Sequence, residues 1–343
     1  MNKELLPYTV SPDCDDNPIW NVFLSANHYP SLIAAVELGL FENLEKNPST
    51  RVDLAQALNL MQRPTDILLG LMVSLGFVVQ HAGLFHNTSI ARTYLLKGSA
   101  YFWGGMLHHD RDLAITGNSV LSSLKADRPS TPHKKDLWQN GPDHPTQIID
   151  FTAAMHSHSN AAACRMAHMI DFSASKRLLD VGGGSGCFAA AIASRYPELN
   201  VAVAELPEVC EITKRYLLNF PLSDRVETIG FNMFSDAWPI GFDSILMSNI
   251  LHDWSDEECL FLLVKAYNSL PENGRIYLHE MLLNDDGTGP LAATSFSMTM
   301  MRLTHGRQRS ATEINALLHS AGFVNPVVVG ATGYHSICLA LKQ

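Results

Sequence analysis

The sequence lacks the features that mark secreted, membrane-spanning and nucleic-acid-binding proteins. Its six cysteines include no Cys-x-x-Cys pair, which argues against a zinc site or a disulfide framework and favours reduced, mostly buried thiols. No apolar run approaches about 18 residues, and the first residues show no signal-peptide pattern. The net charge is −10, which argues against general nucleic-acid binding. We therefore expect a cytoplasmic protein with neither a membrane nor a nucleic-acid partner.

The remaining composition is that of a globular protein with a large apolar interior. Of the 343 residues, 46% are hydrophobic and 17% are charged. This length suggests two domains. We predict a loose arm over residues 1–17, a helical domain over 18–100, a helical bridge over 101–170 and a catalytic domain over 171–343.

The helical domain ends in a segment that resembles a hairpin. Residues 77–86 form two short apolar runs around a His-Ala-Gly turn, so three helices and a wing give a winged-helix outline. A DNA-binding regulator is therefore a rival interpretation. Residues 1–110, however, contain six Lys and Arg against ten Asp and Glu, and the helix from Thr65 is mostly apolar. DNA contact needs cations, whereas an apolar face favours a protein partner.

A glycine cluster near the middle of the chain is the most informative motif. The apolar run 178–181 ends at Gly182, and an alanine-rich helical segment and a second apolar run, 201–204, follow before Glu205. A strand, tight turn, helix, strand and acid in this order form the βαβ unit that binds an adenosine-containing cofactor. The glycines alone leave the cofactor open, because Gly184-x-Gly186-x-x-Ala also satisfies the loose NAD or FAD fingerprint.

The C-terminal half alternates between strand and helix patterns. Strands are predicted near residues 177–181, 201–204, 226–229, 242–248 and 275–279, with a final pair near 325–329 and 336–341. This pattern predicts an α/β fold with a Rossmann-like sheet. Ser255 begins a capping box for the next helix. The apolar spacing of that helix predicts a buried stripe of Leu260, Leu263, Val264 and Tyr267.

Three ordered motifs carry a family resemblance. They are Leu-Leu-Asp-Val-Gly-Gly-Gly-Ser-Gly at 178–186, Glu-Leu-Pro-Glu-Val at 205–209 and His-Asp-Trp-Ser-Asp-Glu at 252–257. The chain resembles the class I S-adenosylmethionine-dependent O-methyltransferases of the plant caffeic acid and hydroxyindole type, which include bacterial polyketide relatives. The resemblance implies S-adenosylmethionine as cofactor, S-adenosylhomocysteine as product, no metal, and a small aromatic substrate. It also implies a homodimer formed through the N-terminal domain.

The resemblance assigns catalysis to residues at the ends of two strands. His252 aligns with the family's general base, a role suited to histidine at neutral pH. Glu280, at the end of the next strand, matches a family glutamate that orients the base, and its loss is expected to cost less than the loss of His252. Asp253 is a further catalytic candidate. Gln308 stands where the family usually has a second glutamate, and its amide can still hydrogen-bond His252.

The cofactor residues implied by the resemblance include Glu205 for the ribose hydroxyls and Met233 for packing on the adenine. Asn232 replaces a family aspartate, and Ser248 replaces a family lysine or arginine. The full set of cofactor candidates is Asp180, Gly182, Gly184, Glu205, Leu206, Asn232, Met233, Ser248 and Trp254.

The acceptor site is expected to come from the bridge and from residues that follow Glu280. Spacing i, i+4, i+7 places three candidates on one helix face, and methionines add adaptable apolar surface. The substrate candidates are Phe151, Met155, His158, Asn249, Met300, Met301, Thr304 and Gln308.

Three alternatives remain open. Some enzymes with this fold use the cofactor without transferring a methyl group, in hydroxylation, decarboxylation or pericyclic reactions. An amine acceptor would make the protein an N-methyltransferase. A winged-helix regulator that senses the cofactor is the third alternative.

Overall fold

The computed structural model describes residues 11–129, 145–220 and 225–343. The chain divides into two compact units, the first ending at Arg111 and the second running from Asp112 to Gln343. Most of the predicted arm, residues 1–10, lies outside the described residues. The first helix begins at Asn17. Within the described residues, no helix is long and apolar enough to cross a membrane.

The first unit combines helices with one two-stranded hairpin. Strands β1 (Val78–His81) and β2 (Leu84–Asn87) pair antiparallel, and Ala82 and Gly83 form the turn with positive φ. The predicted wing is therefore confirmed. The helices are Asn17–Ser25, His28–Glu37, Leu40–Lys46, Arg51–Ala57, Gln62–Ser74, Ser89–Tyr94 and Gly104–His109.

The second unit is built on a seven-stranded sheet with the order β5-β4-β3-β6-β7-β9-β8. Strands β3 to β7 pair in parallel, whereas β9 is antiparallel to β7 and to β8. The predicted α/β fold is confirmed. The strands are β3 (Arg177–Val181), β4 (Asn200–Glu205), β5 (Val226–Gly230), β6 (Ser244–Ser248), β7 (Arg275–Glu280), β8 (Val324–Thr332) and β9 (His335–Leu341).

Helices cover the two faces of this sheet, and a short 3₁₀ turn, Leu251–Asp253, follows β6. One hydrophobic cluster packs helices Asp256–Ser269 and Ala311–Ser320 on the sheet, and the other packs helices Pro145–Met169 and Cys187–Arg195. The helices of this unit are Gly117–Ala126, Pro145–Met169, Cys187–Arg195, Pro207–Leu217, Asp256–Ser269, Leu291–Leu303 and Ala311–Ser320.

Helix Asp256–Ser269 begins as predicted, and three of the four residues of the predicted stripe, Leu260, Leu263 and Tyr267, pack against the core. Ser255 and Glu258 form the expected capping box. Val264 is exposed, so the predicted stripe is wrong in part. The buried residues are Cys259, Leu262, Leu263 and Ala266. They have the same spacing as the predicted stripe but are displaced by one residue, which rotates the buried face by about 100°.

The cysteines are all free thiols, as the sequence predicts. Burial raises the pKa of Cys187 to about 12, and the pKa of Cys259 to about 12 as well. Neither side chain is therefore a reactive thiolate.

Candidate active site

The carboxyl ends of β3, β4, β6 and β7 lie at one edge of the sheet, since these strands are parallel. The candidate residues from the glycine loop to Glu280 follow these strand ends. This is the edge at which open α/β sheets bind their ligands.

The glycine loop forms an open turn after β3. Gly182, Gly184 and Gly186 have φ values of 67°, 53° and 76°, a region that favours glycine. A Cβ on Gly184 would meet nothing within 4 Å, whereas a Cβ on Gly183 would lie 2.7 Å from the Asp180 carboxylate. The backbone thus turns sharply and leaves room above Gly184 for a ligand to approach.

Glu205 ties the glycine loop to the end of β4. Its Oε2 accepts a hydrogen bond from the Gly184 N–H at 3.1 Å, and its Oε1 accepts one from the Leu206 N–H at 2.8 Å. Burial raises the pKa of Glu205 above its usual range. The carboxylate is therefore held next to the open turn, where it can accept ribose hydroxyls.

Asp180 is a buried carboxyl group below the same turn. It is 1% exposed, and neither carboxyl oxygen makes a hydrogen bond of full geometry to the described residues, although the Ala189 backbone N–H approaches it and lowers its pKa slightly. Burial raises the pKa of Asp180 to about 7. A buried carboxyl without a side-chain partner calls for a ligand donor or cation. Together with Glu205 and the open glycine turn, Asp180 fits the ammonium and ribose groups of S-adenosylmethionine.

Three other cofactor candidates already have protein partners. The Asn232 Oδ1 accepts hydrogen bonds from the backbone N–H groups of Phe234 and Ser235 at 2.9 and 3.3 Å. Trp254 is 5% exposed and meets Phe234 edge-on at 4.5 Å. Met233 packs, partly buried, against the same hydrophobic cluster. In this arrangement Asn232 organises its own turn, so its amide oxygen is already used.

His252 and Glu280 form a buried pair at the ends of β6 and β7. The His252 Nδ1 lies 2.9 Å from the Glu280 Oε2. The Glu280 Oε1 accepts hydrogen bonds from the backbone N–H groups of Ile250 and Leu251 at 3.0 and 2.8 Å. His252 and Glu280 are only 6% and 3% exposed. Glu280 therefore fixes both the ring and the turn that carries it.

The electrostatics of this pair favour an imidazole of raised basicity. Burial alone lowers the pKa of His252, but the Glu280 carboxylate and then Asp253 outweigh it and raise the pKa above 6.5. Burial acts in the opposite sense on Glu280, yet His252 and the Leu251 N–H lower its pKa below 4.5. Asp253 Oδ1 lies 3.8 Å from His252 Nε2, beyond hydrogen-bond distance.

Arg309 holds the His252 turn and was not found from the sequence. Its guanidinium donates to the carbonyls of Leu251 and Trp254, each at 2.8 Å, and pairs with Asp256. A Cβ on Gly306 would lie 2.0 Å from the His252 carbonyl, so this approach requires glycine. The stretch Gly306-Arg307-Gln308-Arg309 was the only sequence feature that pointed to this role of Arg309.

Gln308 differs from expectation, and Thr304 bonds to its own helix. Gln308 is 1% exposed, and its side-chain Nε2 and Oε1 make no hydrogen bond to the described residues, so the expected bond to His252 is wrong. Glu280 takes the Nδ1 position instead. The Thr304 hydroxyl donates to the Met300 carbonyl at 3.0 Å and so closes its own helix.

The other acceptor candidates lie on two helices and one strand end. Helix Pro145–Met169 carries Phe151, Met155 and His158, and helix Leu291–Leu303 carries Met300 and Met301. Met300 is buried and Met301 half-buried. Asn249, directly after β6, has a φ of 55°, and its Oδ1 is buried without a hydrogen-bond partner among the described residues.

Two further histidines near the site were also missed. His279 precedes Glu280, and its ring nitrogens lie 2.9 Å from the Ser248 hydroxyl and 2.6 Å from the Thr332 hydroxyl. His335 stacks on His279 at 4.7 Å with an angle of 10°. Ser248 thus contacts a histidine through its side chain. A single histidine in a strand forms no motif, so the sequence could not predict that His279 and His335 meet. Only the pairing of their strands brings them together.

Comparison with known proteins identifies the family. Residues 128–324 match the O-methyltransferase domain, and residues 20–97 match the O-methyltransferase dimerisation domain. This chain belongs to the O-methyltransferase family. The enzyme is therefore an S-adenosylmethionine-dependent O-methyltransferase with a dimerisation domain at its N-terminal end.

The relatives cover most of the chain. The enzyme is 31% identical over 318 residues to 3-hydroxy-5-methyl-1-naphthoate 3-O-methyltransferase of Streptomyces sahachiroi, covering 91% of each chain. It is 29% identical to acetylserotonin O-methyltransferase of Bos taurus, covering 91% and 93%. The crystal structure of human N-acetylserotonin methyltransferase with S-adenosylmethionine superimposes with a TM-score of 0.81 at 25% identity, covering 97% and 100%.

Proposed function

We propose that the enzyme methylates a phenolic hydroxyl of a small aromatic metabolite, with His252 as general base and Glu280 as the group that orients it. The buried pair at 2.9 Å carries this proposal. Because the Glu280 carboxylate accepts a hydrogen bond from the Nδ1–H of His252, the Nε2 lone pair is left for the acceptor hydroxyl.

The cofactor end of the site requires three kinds of contact. S-adenosylmethionine, when bound, supplies an electrophilic methyl group on a sulfonium centre. Glu205 would accept hydrogen bonds from its ribose hydroxyls, and the backbone at Gly182 and Gly184 would contact it closely. Asp180, buried and with no side-chain partner among the described residues, would bind its ammonium group. A positive ligand there would lower the pKa of Asp180 from about 7 and keep it ionised.

The chemical step at the acceptor is proton removal. His252 Nε2 would accept the hydroxyl proton while the oxygen becomes nucleophilic, and Glu280 would stabilise the resulting imidazolium. The raised pKa of His252 strengthens it as a base. The low exposure of both residues limits access of water to this step.

The acceptor side favours a flat ring. Phe296 meets the His252 ring edge-on at 5.5 Å and lies parallel to His158 at 6.5 Å. Met300 and Met155 lie on the two helices that carry these rings. The names of the relatives agree with an aromatic acceptor, since one acts on a hydroxynaphthoate and another on acetylserotonin.

A homodimer is proposed from the first helix. Helix Asn17–Ser25 buries no residue, and Ile19, Val22 and Phe23 are 74%, 74% and 65% exposed. An exposed apolar helix of this kind fits a second copy of the chain. We expect an interface above about 2,000 Å², the class of obligate dimers.

The test is methyl transfer from labelled S-adenosylmethionine to a panel of phenols and naphthols. Wild-type enzyme is expected to label the hydroxyl oxygen. His252→Ala is expected to reduce turnover about 10²–10⁴-fold with cofactor affinity nearly unchanged. Full activity in this variant would contradict the assignment of the base.

The atom that receives the labelled methyl group tests a second candidate function, methylation of a ring carbon. L-tyrosine C(3)-methyltransferase of Streptomyces lavendulae is 29% identical over 287 residues, covering 80% of this chain and 76% of that protein. A phenolate formed by His252 is nucleophilic at ring carbon as well as at oxygen. A product labelled on carbon, identified by NMR, would replace O-methylation by C-methylation.

A further inference from the structure

The glycine loop, residues 182–186, depends on neighbouring side chains to hold its shape. Three of its glycines have positive φ, and a glycine backbone has more conformational freedom than any other. The Gly184 N–H donates to Glu205, and the Gly184 carbonyl accepts a hydrogen bond from the Thr213 hydroxyl at 2.6 Å. A bound cofactor would use Glu205 for its ribose hydroxyls, so the remaining contacts of the loop gain importance.

His156 makes one of these remaining contacts. Its Nδ1 lies 2.9 Å from the hydroxyl of Ser185, a loop residue that is 3% exposed. The Tyr216 ring packs against the His156 ring at 4.4 Å with an angle of 32°. Tyr216 lies on helix Pro207–Leu217, which also carries Thr213. Two helices therefore hold the loop, and their side chains meet at His156.

The His156 ring is a neutral hydrogen-bonding group. Burial lowers the pKa of His156 to about 4. Near pH 7 one ring nitrogen therefore carries a proton and the other a lone pair. The ring holds Ser185 in either role, and the contact stays the same between about pH 6 and 9. It is thus independent of the protonation of His252.

Helix Pro145–Met169 connects this contact to the acceptor side, and we call it the acceptor helix. Met155 directly precedes His156, and His158 follows it by two residues; both are acceptor candidates. The i to i−4 hydrogen bonds of an α-helix fix neighbouring residues relative to one another. A ligand that orders Met155 and His158 therefore orders His156 as well.

We propose that His156 is a positioning residue that joins the glycine loop to the acceptor helix, so that cofactor and acceptor each bind more tightly in the presence of the other. The inference rests on the proposed acceptor site and adds a coupling between it and the cofactor site. Its physical origin is ordering: a ligand that fixes one side of the His156–Ser185 contact reduces the ordering that the other ligand must impose.

Calorimetry on the full-length enzyme measures this coupling, with S-adenosylhomocysteine and 2-naphthol as the two ligands. Each is titrated alone and again with the other at saturation. Wild-type enzyme is expected to bind each ligand about 5-fold or more tightly when the other is present, and the two factors must be equal by thermodynamic linkage. No turnover occurs, because S-adenosylhomocysteine has no methyl group to transfer.

Two substitutions separate the hydrogen bond from the packing of the ring. His156→Phe keeps a ring against Tyr216 but loses the contact with Ser185, whereas His156→Asn loses the ring but places an amide near the position of Nδ1. We expect His156→Phe to bind S-adenosylhomocysteine about 3–10-fold more weakly and to lose the coupling, and His156→Asn to stay near wild type. His168→Phe, exposed on the same helix, is the matched control and should behave as wild type.

Ser185→Ala removes the same contact from the side of the loop. Its effect on S-adenosylhomocysteine affinity and that of His156→Phe should not add in the double variant, because both remove one contact. This small change also tests the contact by itself if a ring variant does not fold. In turnover, His156→Phe should raise KM for S-adenosylmethionine and leave kcat within about 2-fold, since saturating cofactor holds the loop itself.

The inference would be overturned if the wild type bound each ligand equally well with and without the other, or did not bind 2-naphthol. A loss of affinity in His156→Asn as large as in His156→Phe would assign the effect to packing and would also refute it. Additive effects of His156→Phe and Ser185→Ala would contradict it as well. A wrong base assignment is seen separately, as full methyl transfer by His252→Ala, and does not alter these binding measurements.

Discussion

The Glu280→Gln variant tests how His252 is prepared to act as a base. The Glu280 Oε1 accepts from the backbone N–H groups of Ile250 and Leu251, and its Oε2 lies 2.9 Å from the His252 Nδ1. A glutamine that keeps its carbonyl oxygen on the two backbone groups must turn its NH₂ toward Nδ1. The imidazole then carries its proton on Nε2, where the acceptor hydroxyl needs a lone pair.

This geometry changes the expected size of the effect. From the sequence, losing the Glu280 charge is expected to cost less than losing His252. Reversing the tautomer of a catalytic histidine, however, costs about 10⁴-fold in turnover, as in serine proteases. We expect kcat to fall about 10³–10⁴-fold, as far as in His252→Ala, and the affinity for S-adenosylhomocysteine to stay within about 2-fold.

The pH profile gives an independent readout. A base must be neutral to act, so wild-type kcat/KM is expected to rise with pH through a pKa above 6.5. Without the Glu280 charge, burial remains as the main influence and lowers the pKa of His252. The rising limb of any residual activity should therefore move to lower pH in Glu280→Gln.

The assay is methyl transfer to a naphthol between about pH 5 and 9, with Glu257→Gln as the control. Glu257 is exposed in the first turn of helix Asp256–Ser269, so the control makes the same charge change without touching His252. If Glu280→Gln keeps more than about a tenth of wild-type kcat and its activity rises at the same pH as that of the wild type, Glu280 does not set the tautomer of His252.

Three further predictions concern the cofactor, the assembly and acid stability. Glu205→Ala should weaken S-adenosylhomocysteine binding about 10–100-fold by calorimetry, and unchanged binding would remove the ribose assignment. Phe23→Asp should convert the dimer to a monomer in light scattering, whereas a monomeric wild type would contradict the assembly. Burial lowers the pKa of His158 and of His335 to about 4, so each contributes stability above pH 6.5 that is lost as the pH falls toward 4. The free energy of unfolding, measured with denaturant, should therefore fall by about 1–2 kcal/mol per histidine between pH 7 and 5. His335→Phe should make this fall smaller. A fall as large as in the wild type would contradict the lowered pKa of His335.

Local sequence patterns were enough to predict the elements whose cause is local. A short apolar run followed by glycines that tolerate positive φ specifies the strand and turn at 177–186, and the acid after the next strand follows from the same pattern. The end of β6 at Ser248 and of β7 at Glu280 brought His252 and Glu280 to one edge of the sheet, as expected from parallel strands. The capping box at Ser255 was likewise readable within four residues.

Features that depend on partners distant in the chain follow from tertiary packing. Helix Asp256–Ser269 has two apolar faces of equal spacing, and only packing on the sheet selects the face of Leu262 and Ala266. The same holds for the side chains around His252. Its Nδ1 could have faced Gln308 or Glu280, and the register of β6 with β7 gave that position to Glu280. His335 reaches His279 only because β9 pairs with β7, which stacks the two rings.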